Sequence, residues 1–375
     1  DSTAKAIVIP VDSSTGKAKA KLSVDALEQT AANNSNNSIV VQANGAEYSL
    51  PSSLVTKESM SSSLGISEQD AGNAEVSVTI EEKPDTTVSN ATGGKSKLAS
   101  KVVDFSLTVT SGDNTVELNN FGQTYVDRAF DLTQNVNPSK AVGVVVNADG
   151  TISPVPTEFV ETDGKKVAVL KRNSNSTYAV VENDITLNDI AVHWGQADIQ
   201  LLADKLIVTG FEDGSFRPNQ QVTRAEFVTL LVRALGLDAT QIKDELYTDV
   251  AADDWYAGAL TAANQAGLVK GYTDGSFRGD QPITRQDASV LLGHAIEFLQ
   301  LRGDFTEEDS GQALDSYKDA DGVSGYAREA VGLASSLDIL HGGGDGSFRP
   351  QANATRAETV IMIKNLMDLA GFITY

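Results

Sequence analysis

Cysteine is missing from all 375 residues, so neither a disulfide framework nor a thiolate metal site is available. That absence does not fix the compartment, but it suits an exported chain that folds without oxidation. Histidine occurs only at His193, His294 and His341, and none of the three neighbours a nucleophile motif. Basic residues are scarce: 29 Lys and Arg against 51 Asp and Glu give a net charge of −22. With no basic tract, this balance argues against nucleic acid and against anionic membrane surfaces as partners. Apolar runs such as 142–146 are far too short for a membrane span. No secretory leader opens the chain, and neither a hydrophobic tail nor a wall-sorting pentapeptide closes it. The expectation is a C-terminal piece of a longer exported protein, with any anchoring non-covalent.

What is present is enough for two or three domains, since 41% of the residues are hydrophobic. Residues 1–184 read as β-rich. Short β-branched runs occur at 6–11, 38–42, 47–50, 75–80, 102–110, 115–118, 125–132, 141–146, 166–170 and 177–181. Val76, Val78 and Ile80 alternate with polar residues, as do Phe105, Leu107 and Val109, the pattern of strands with one buried face. Turn clusters at 111–114 and 147–150 predict hairpins. Two short helices are expected, at 23–32 with Ser23 as N-cap and around 52–64. The stretch 83–96, with Pro84, Asn90, Gly93 and Gly94, reads as a loop. The whole is expected to be a sandwich-like structural or spacer module with helical insertions, carrying no catalytic constellation.

From residue 185 the hydrophobic period changes from 2 to 3.6, and one pattern occurs three times. Gly210-Phe-Glu-Asp-Gly-Ser-Phe-Arg-Pro is followed by Thr223-Arg-Ala-Glu; the other copies are Gly271-Tyr-Thr-Asp-Gly-Ser-Phe-Arg with Thr284-Arg-Gln-Asp, and Gly342-Gly-Gly-Asp-Gly-Ser-Phe-Arg-Pro with Thr355-Arg-Ala-Glu. In each copy the turn Asp lies 11 residues before the tetrad Arg, and an aromatic (Trp194, Trp255 or Tyr326) lies 19 residues before that Asp. Apolar stripes after Arg224, Arg285 and Arg356 mark a helix in each copy. One helix pair cannot cover its own apolar face, so three copies are expected to close around a shared three-helix core. The copies span about 185–240, 246–300 and 316–371, joined by acidic linkers at 238–246 and 302–316.

The tetrad has the form of a capping box, which accounts for Thr and Glu. It does not account for Arg, a cation at the positive end of the helix dipole. Arg224, Arg285 and Arg356 therefore read as serving something anionic, with helix-start amides completing a carboxylate or phosphate site. The alternative is pairing with a neighbouring copy's Asp, such as Asp189 or Asp249. Arg217, Arg278 and Arg349 read as solvated or paired surface residues, the alternative being a second cationic element. Gly214, Gly275 and Gly346 permit positive φ in tight turns, read either as turns and nothing more or as places of close backbone approach to a ligand. Phe216, Phe277 and Phe348 read as core plugs.

These copies resemble the S-layer homology repeat of bacterial cell-surface proteins. The carriers are the leading Asp189, Asp249 and Asp319, the aromatic, the Gly-x-x-Asp-Gly-Ser-Phe turn and the tetrad, over roughly residues 187–369. The resemblance implies a pseudo-threefold helical domain whose grooves bind a secondary cell wall polysaccharide through a pyruvate-bearing sugar such as pyruvylated N-acetylmannosamine. It implies that Arg224, Arg285 and Arg356 hold the carboxylate, and that Trp194, Trp255, Tyr326, Asp189, Asp249, Asp319, Gly214, Gly275 and Gly346 complete the grooves. A secreted protein of the cell wall or S-layer is expected, non-catalytic and without cofactor or metal, and able to meet other copies of itself in a lattice. Copy two departs at Gly279 and Gln286-Asp287, and copy three at Tyr326, Gly342-Gly-Gly and Ala354, so the grooves should be unequal, with those around Arg224 and Arg285 the stronger. Two rivals remain: a calcium-dependent assembly module, from the loop-like Asp319-Ala-Asp-Gly322, and the anchoring tail of an extracellular glycan-degrading enzyme.

Overall fold

A computed structural model describes residues 5–92, 96–162, 164–243 and 246–375. Gly93 and Gly94 of the expected loop, and Asp244 and Glu245 of the first acidic linker, lie outside the described residues. The chain divides into two compact units, Asp1–Asn183 and Asp184–Tyr375.

The first unit is built from two sheets. One has the order Ala6–Pro10, Ser38–Ala43, Ala46–Pro51, Val126–Asp131, Lys165–Arg172, Thr157–Thr162, and its first pair is parallel. The other runs Ile152–Val155, Ala141–Val146, Thr177–Glu182, Val102–Ser111, Glu75–Lys83, Lys17–Ser23, with Lys97–Leu98 and Asn114–Glu117 paired to its members. Their inner faces share one core, in which Tyr48 of the first sheet stacks on Phe105 of the second at 5.7 Å between ring centroids. Val76, Val78, Ile80, Phe105, Leu107 and Val109 all point into it, as their alternation requires. Both hairpins form: Ser111 pairs Asn114 around Gly112 (φ 58°), and Val146 pairs Ile152 around the turn bearing Gly150.

The sequence misses four strands here, Lys17–Ser23, Lys97–Leu98, Ile152–Val155 and Thr157–Thr162. The stretch read as a loop contains the helix Thr86–Thr92. Of the expected helices, Val24–Asn33 starts after Ser23, whose hydroxyl accepts from the Ala26 amide. The second is Lys57–Leu64, capped by Thr56 and followed by the unexpected short helix Glu68–Gly72.

The second unit is helical. Each copy has a first helix (Gln196–Asp204, Ala257–Gln265, Arg328–Ser336), the Asp-Gly-Ser-Phe turn, and a second helix (Arg224–Ala234, Arg285–Phe298, Arg356–Leu369). Phe216, Phe277 and Phe348 are buried under the turns. The segment before each tetrad joins a three-membered ring of backbone hydrogen bonds: Val222 donates to Ala354 (3.0 Å), Ala354 to Ile283 (2.9 Å) and Ile283 to Val222 (2.9 Å). This ring closes the three copies on one another and fixes which neighbours which. The second acidic linker is not plain loop. It contains the helix Glu307–Leu314, capped by a Thr306–Asp309 box and packed on the third copy through Leu314 and through Ser310, which donates to the Arg328 carbonyl.

Candidate functional site

The turns shape everything beside them. Asp189, Asp249 and Asp319 each clasp their own copy's turn: one carboxylate oxygen accepts from the turn Phe amide and the other from the following Arg amide, at 2.7–2.8 Å in every copy. Both oxygens of each leading Asp are thus taken up by backbone, and these residues build the wall of the site rather than offer a free carboxylate. Gly214, Gly275 and Gly346 sit at φ 78–80°, a conformation that favours glycine and is sufficient reason for it. Arg217, Arg278 and Arg349 also take positive φ, and each pairs at 2.9 Å with the Asp four residues earlier. Hydrogen bonds from Ser215 and Arg217 pull the Asp213 carboxyl down to about 2; Asp274 and Asp345 are lowered by the same kind of partners.

The helix starts at the tetrads form capping boxes at Thr223–Glu226 and Thr355–Glu358, while Thr284–Asp287 keeps only the Thr half. Their free amides do not face a ligand. The amides of Arg224, Arg285 and Arg356 donate to Gln281, Ala352 and Gln220 of the neighbouring copy, and those of Ala225, Gln286 and Ala357 donate to Gly279, Pro350 and Pro218. The expectation that helix-start amides complete an anion site is therefore corrected: neighbouring carbonyls use them, and any anion must be held by side chains.

The tetrad arginines turn away from their own helices onto the next copy's turn, each lying 4.5–5.1 Å from the centroid of its buried Phe. Arg285 donates through Nε to the Phe348 carbonyl (2.7 Å), through Nη2 to the His341 carbonyl (2.8 Å) and through Nη1 to Glu358 (2.9 Å). Arg356 repeats this on Phe216 and Thr209, with Glu226 at 3.9 Å. Protein carboxylates thus answer two of the three guanidiniums, and they are the neighbouring tetrads' own Glu, not Asp189 or Asp249. Arg224 differs. It donates from Nη2 to the Lys270 carbonyl (3.1 Å), its Nε is buried without a partner, and among the described residues no carboxylate lies within ion-pair distance.

The cause is Asp287, which stands where the other copies have Glu and is one methylene shorter. Its Oδ1 instead accepts from the Tyr326 hydroxyl (2.7 Å), and Gln286 bonds the same hydroxyl and Ser324. Three departures from the repeat pattern are thus joined in one hydrogen-bonded set, in which the Tyr326 hydroxyl both donates to Asp287 and accepts from Gln286, a double role the donor-only indole N–H could not fill. Burial first, and then Asp287, push the Tyr326 hydroxyl up to about 12. Gly279 has a similar cause: a Cβ there would lie 2.8 Å from the Tyr256 hydroxyl oxygen.

Trp194, Trp255 and Tyr326 are largely exposed just before their helices, at 68, 64 and 65%. A cavity of about 500 Å³ gathers Trp194 of the first copy, Arg285 of the second, and Gly342, Gly343, Gly344, Arg349 and Glu358 of the third. Three copies therefore contribute to one cleft, with an exposed indole at its mouth and a guanidinium in its wall. Sequence reasoning named Trp194 and Arg285, held Arg349 only as an alternative cationic element, and missed Glu358 as part of it. Asp319 of the loop-like stretch serves the turn, and among the described residues no cluster of three or more His, Asp or Glu could hold a metal ion. No described helix is long and apolar enough to cross a membrane.

Residues 186–228, 246–289 and 316–360 match the S-layer homology domain. An amylopullulanase of Thermoanaerobacterium thermosulfurigenes is 30% identical over 361 residues, which is 94% of this chain and 17% of the relative. A surface-layer 125 kDa protein of Lysinibacillus sphaericus is 28% identical over 198 residues, 52% of this chain and 16% of its own length. A cellulosome-anchoring protein of Acetivibrio thermocellus is 28% identical over 162 residues, 42% of this chain and 35% of its own length. The chain spans far less than two thirds of each of these relatives.

Proposed function

We propose, from the premise that the C-terminal unit is three tandem S-layer homology domains of a cell-surface protein, that it anchors that protein non-covalently by binding an acidic, pyruvate-bearing wall polysaccharide in the clefts between copies. Domains of this family bind cell wall polymers; the acidic sugar and the clefts are the finer reading. The observation that carries it is the three-copy cleft, where Trp194 offers a stacking face and Arg285 a guanidinium edge beside open space. The chain itself is read as non-catalytic, and the β-rich unit as a spacer. Overall charge of −22 repels an acidic polymer, so recognition is local, short-ranged and bidentate.

The test is binding of the full chain to purified wall polysaccharide before and after acid removal of its acetal-linked pyruvate. Binding lost only for the treated polymer is the expected result; equal binding to both sinks the acidic-sugar reading. A second reading concerns what is anchored. Because 94% of this chain, the β-rich unit included, aligns with an amylopullulanase, the surface protein would be an extracellular glycan-degrading enzyme. Hydrolysis of α-glucans by the parent protein, against none by this chain, would support it.

A further inference from the structure

The three clefts differ at one position that no capping or core argument explains. Phe211 and Tyr272 occupy matching places, since each donates its amide to the turn Ser carbonyl at 2.8 Å. Each ring also lies between two guanidiniums. Phe211 is 3.9 Å from Arg217 and 5.0 Å from Arg356; Tyr272 is 3.9 Å from Arg278 and 5.4 Å from Arg224. Gly343 makes the same 2.8 Å bond, to Ser347, and so stands where the third ring would be. The space falls between Arg349 and Arg285, and it is part of the 500 Å³ cavity. Such a volume is within the roughly 300–1,000 Å³ of small-molecule pockets. Nothing in the backbone demands glycine, because Gly343 is not among the residues at positive φ. A Cβ there would meet Asp345 Oδ1 at 2.9 Å and Arg349 Nη2 at 3.3 Å, both ends of exposed side chains that can move.

The geometry points to a ring-binding subsite at Gly343: one pyranose ring of the acidic wall saccharide enters between Arg285 and Arg349, in the place a protein aromatic fills in the other two clefts. The slot is the size of a six-membered ring because the sister copies put one there. Its chemistry suits a sugar, with Trp194 at the mouth for the ring face. Ile361 and Met362 supply apolar lining. Arg349, paired only at the surface with Asp345, swings onto an acidic substituent at little cost. This rests on the anchoring reading above and adds to it which cleft takes a ring, and where.

The decisive variant is Gly343→Tyr in the full chain, titrated calorimetrically with purified pyruvylated wall polysaccharide. Restoring the ring should lower affinity about tenfold or more with the melting temperature kept. Arg349→Gln should weaken binding too, whereas Arg278→Gln, which breaks the same turn ion pair beside a filled slot, should not. Unchanged or tighter binding by a folded Gly343→Tyr overturns the subsite while leaving anchoring intact. If the unmodified chain binds neither polymer, both fall together. Should Gly343→Tyr fail to fold, Trp255→Phe leaves Trp194 as the single tryptophan of the chain. Its emission should then change on saturation with polymer, and unaltered emission rejects the subsite.

Discussion

Arg128 in the β-rich unit and Arg285 in the helical unit are both buried guanidiniums lying over aromatic rings, yet they end differently. Arg128 is 0% exposed, with its guanidinium carbon 4.8–5.8 Å from the centroids of Tyr48, Phe105 and Tyr178. It donates to the carbonyls of Val126, Arg172 and Ser174 and to the Asn175 side chain, with no carboxylate among these partners. Arg285 has carbonyls and a carboxylate, and its edge borders open space. A guanidinium seated on rings is therefore no mark of a binding site by itself. What separates scaffold from site is whether the seat opens to solvent.

The comparison breaks if Arg128 is dispensable. Arg128→Met removes four donor contacts from a dry core and leaves several carbonyls unsatisfied, which should cost about 3–5 kcal/mol. Hydrogen exchange in peptides covering 102–111 and 126–131 during denaturant titration reads this unit alone. A loss under about 1 kcal/mol would mean that water reaches those carbonyls. In the helical unit the three tetrad arginines should rank by partners. Arg285→Ala, which strands Glu358 and two carbonyls, should cost about 2–4 kcal/mol, and Arg224→Ala about 1 kcal/mol or less. Both tryptophans lie in this unit, so fluorescence during unfolding reports it. Equal costs would show that the number of protein partners does not set what each tetrad arginine contributes to the fold.

Much of this unit was legible because it is written three times. Repetition exposed the turn, the tetrad and the aromatic, and the apolar stripes gave the second helices. The wiring was not legible, because it joins residues far apart in the chain: Arg285 to Phe348 spans 63 positions and Arg356 to Phe216 spans 140. Gln286, Asp287 and Tyr326 looked like three lapses until the fold brought them together. The β-rich unit offers no second copy to compare. Its strand Lys17–Ser23 alternates Lys with Ala, and buries Ala18 and Ala20 against the neighbouring strand, so no β-branched residue announces it. Ile152–Val155 carries Pro154, tolerated because this strand lies at the sheet's edge. The Thr306–Asp309 capping box, by contrast, was a readable signal for the linker helix.

Acid should separate the units by sign. Asp213, whose carboxyl is lowered from 3.8 to about 2, lends stability that is present above about pH 3.8 and lost as pH falls through the folded value; Asp274 and Asp345, also lowered by their turn partners, act in the same direction. Asp127 of the β-rich unit is shifted the other way, raised chiefly by burial. Its contribution is present below about pH 3.8 and lost as pH rises through its folded value. Between pH 5 and 2, Asp213→Asn should flatten the fall in tryptophan-reported melting temperature. Asp127→Asn should raise the stability of the β-rich unit near neutral pH and leave the helical unit's acid profile alone. A helical unit indifferent to Asp213→Asn would show that these exposed turn pairs are fully screened.

The smallest effect is the most discriminating. Asp287→Glu lengthens the one short tetrad carboxylate, so that it reaches toward Arg224 as Glu358 reaches Arg285. The new pair should add less than about 1 kcal/mol, because both groups keep contact with water. Tyr326 must be released for this to happen, so the gain should be larger with Tyr326→Phe, and a double-mutant cycle would show the coupling. If Arg224 is held ready for a ligand by the missing methylene, Asp287→Glu lowers affinity for pyruvylated polymer while slightly raising stability. If both quantities move together, or neither moves, the shorter side chain serves only Tyr326. That outcome would place Arg224 beside Arg128, as a guanidinium kept for the fold.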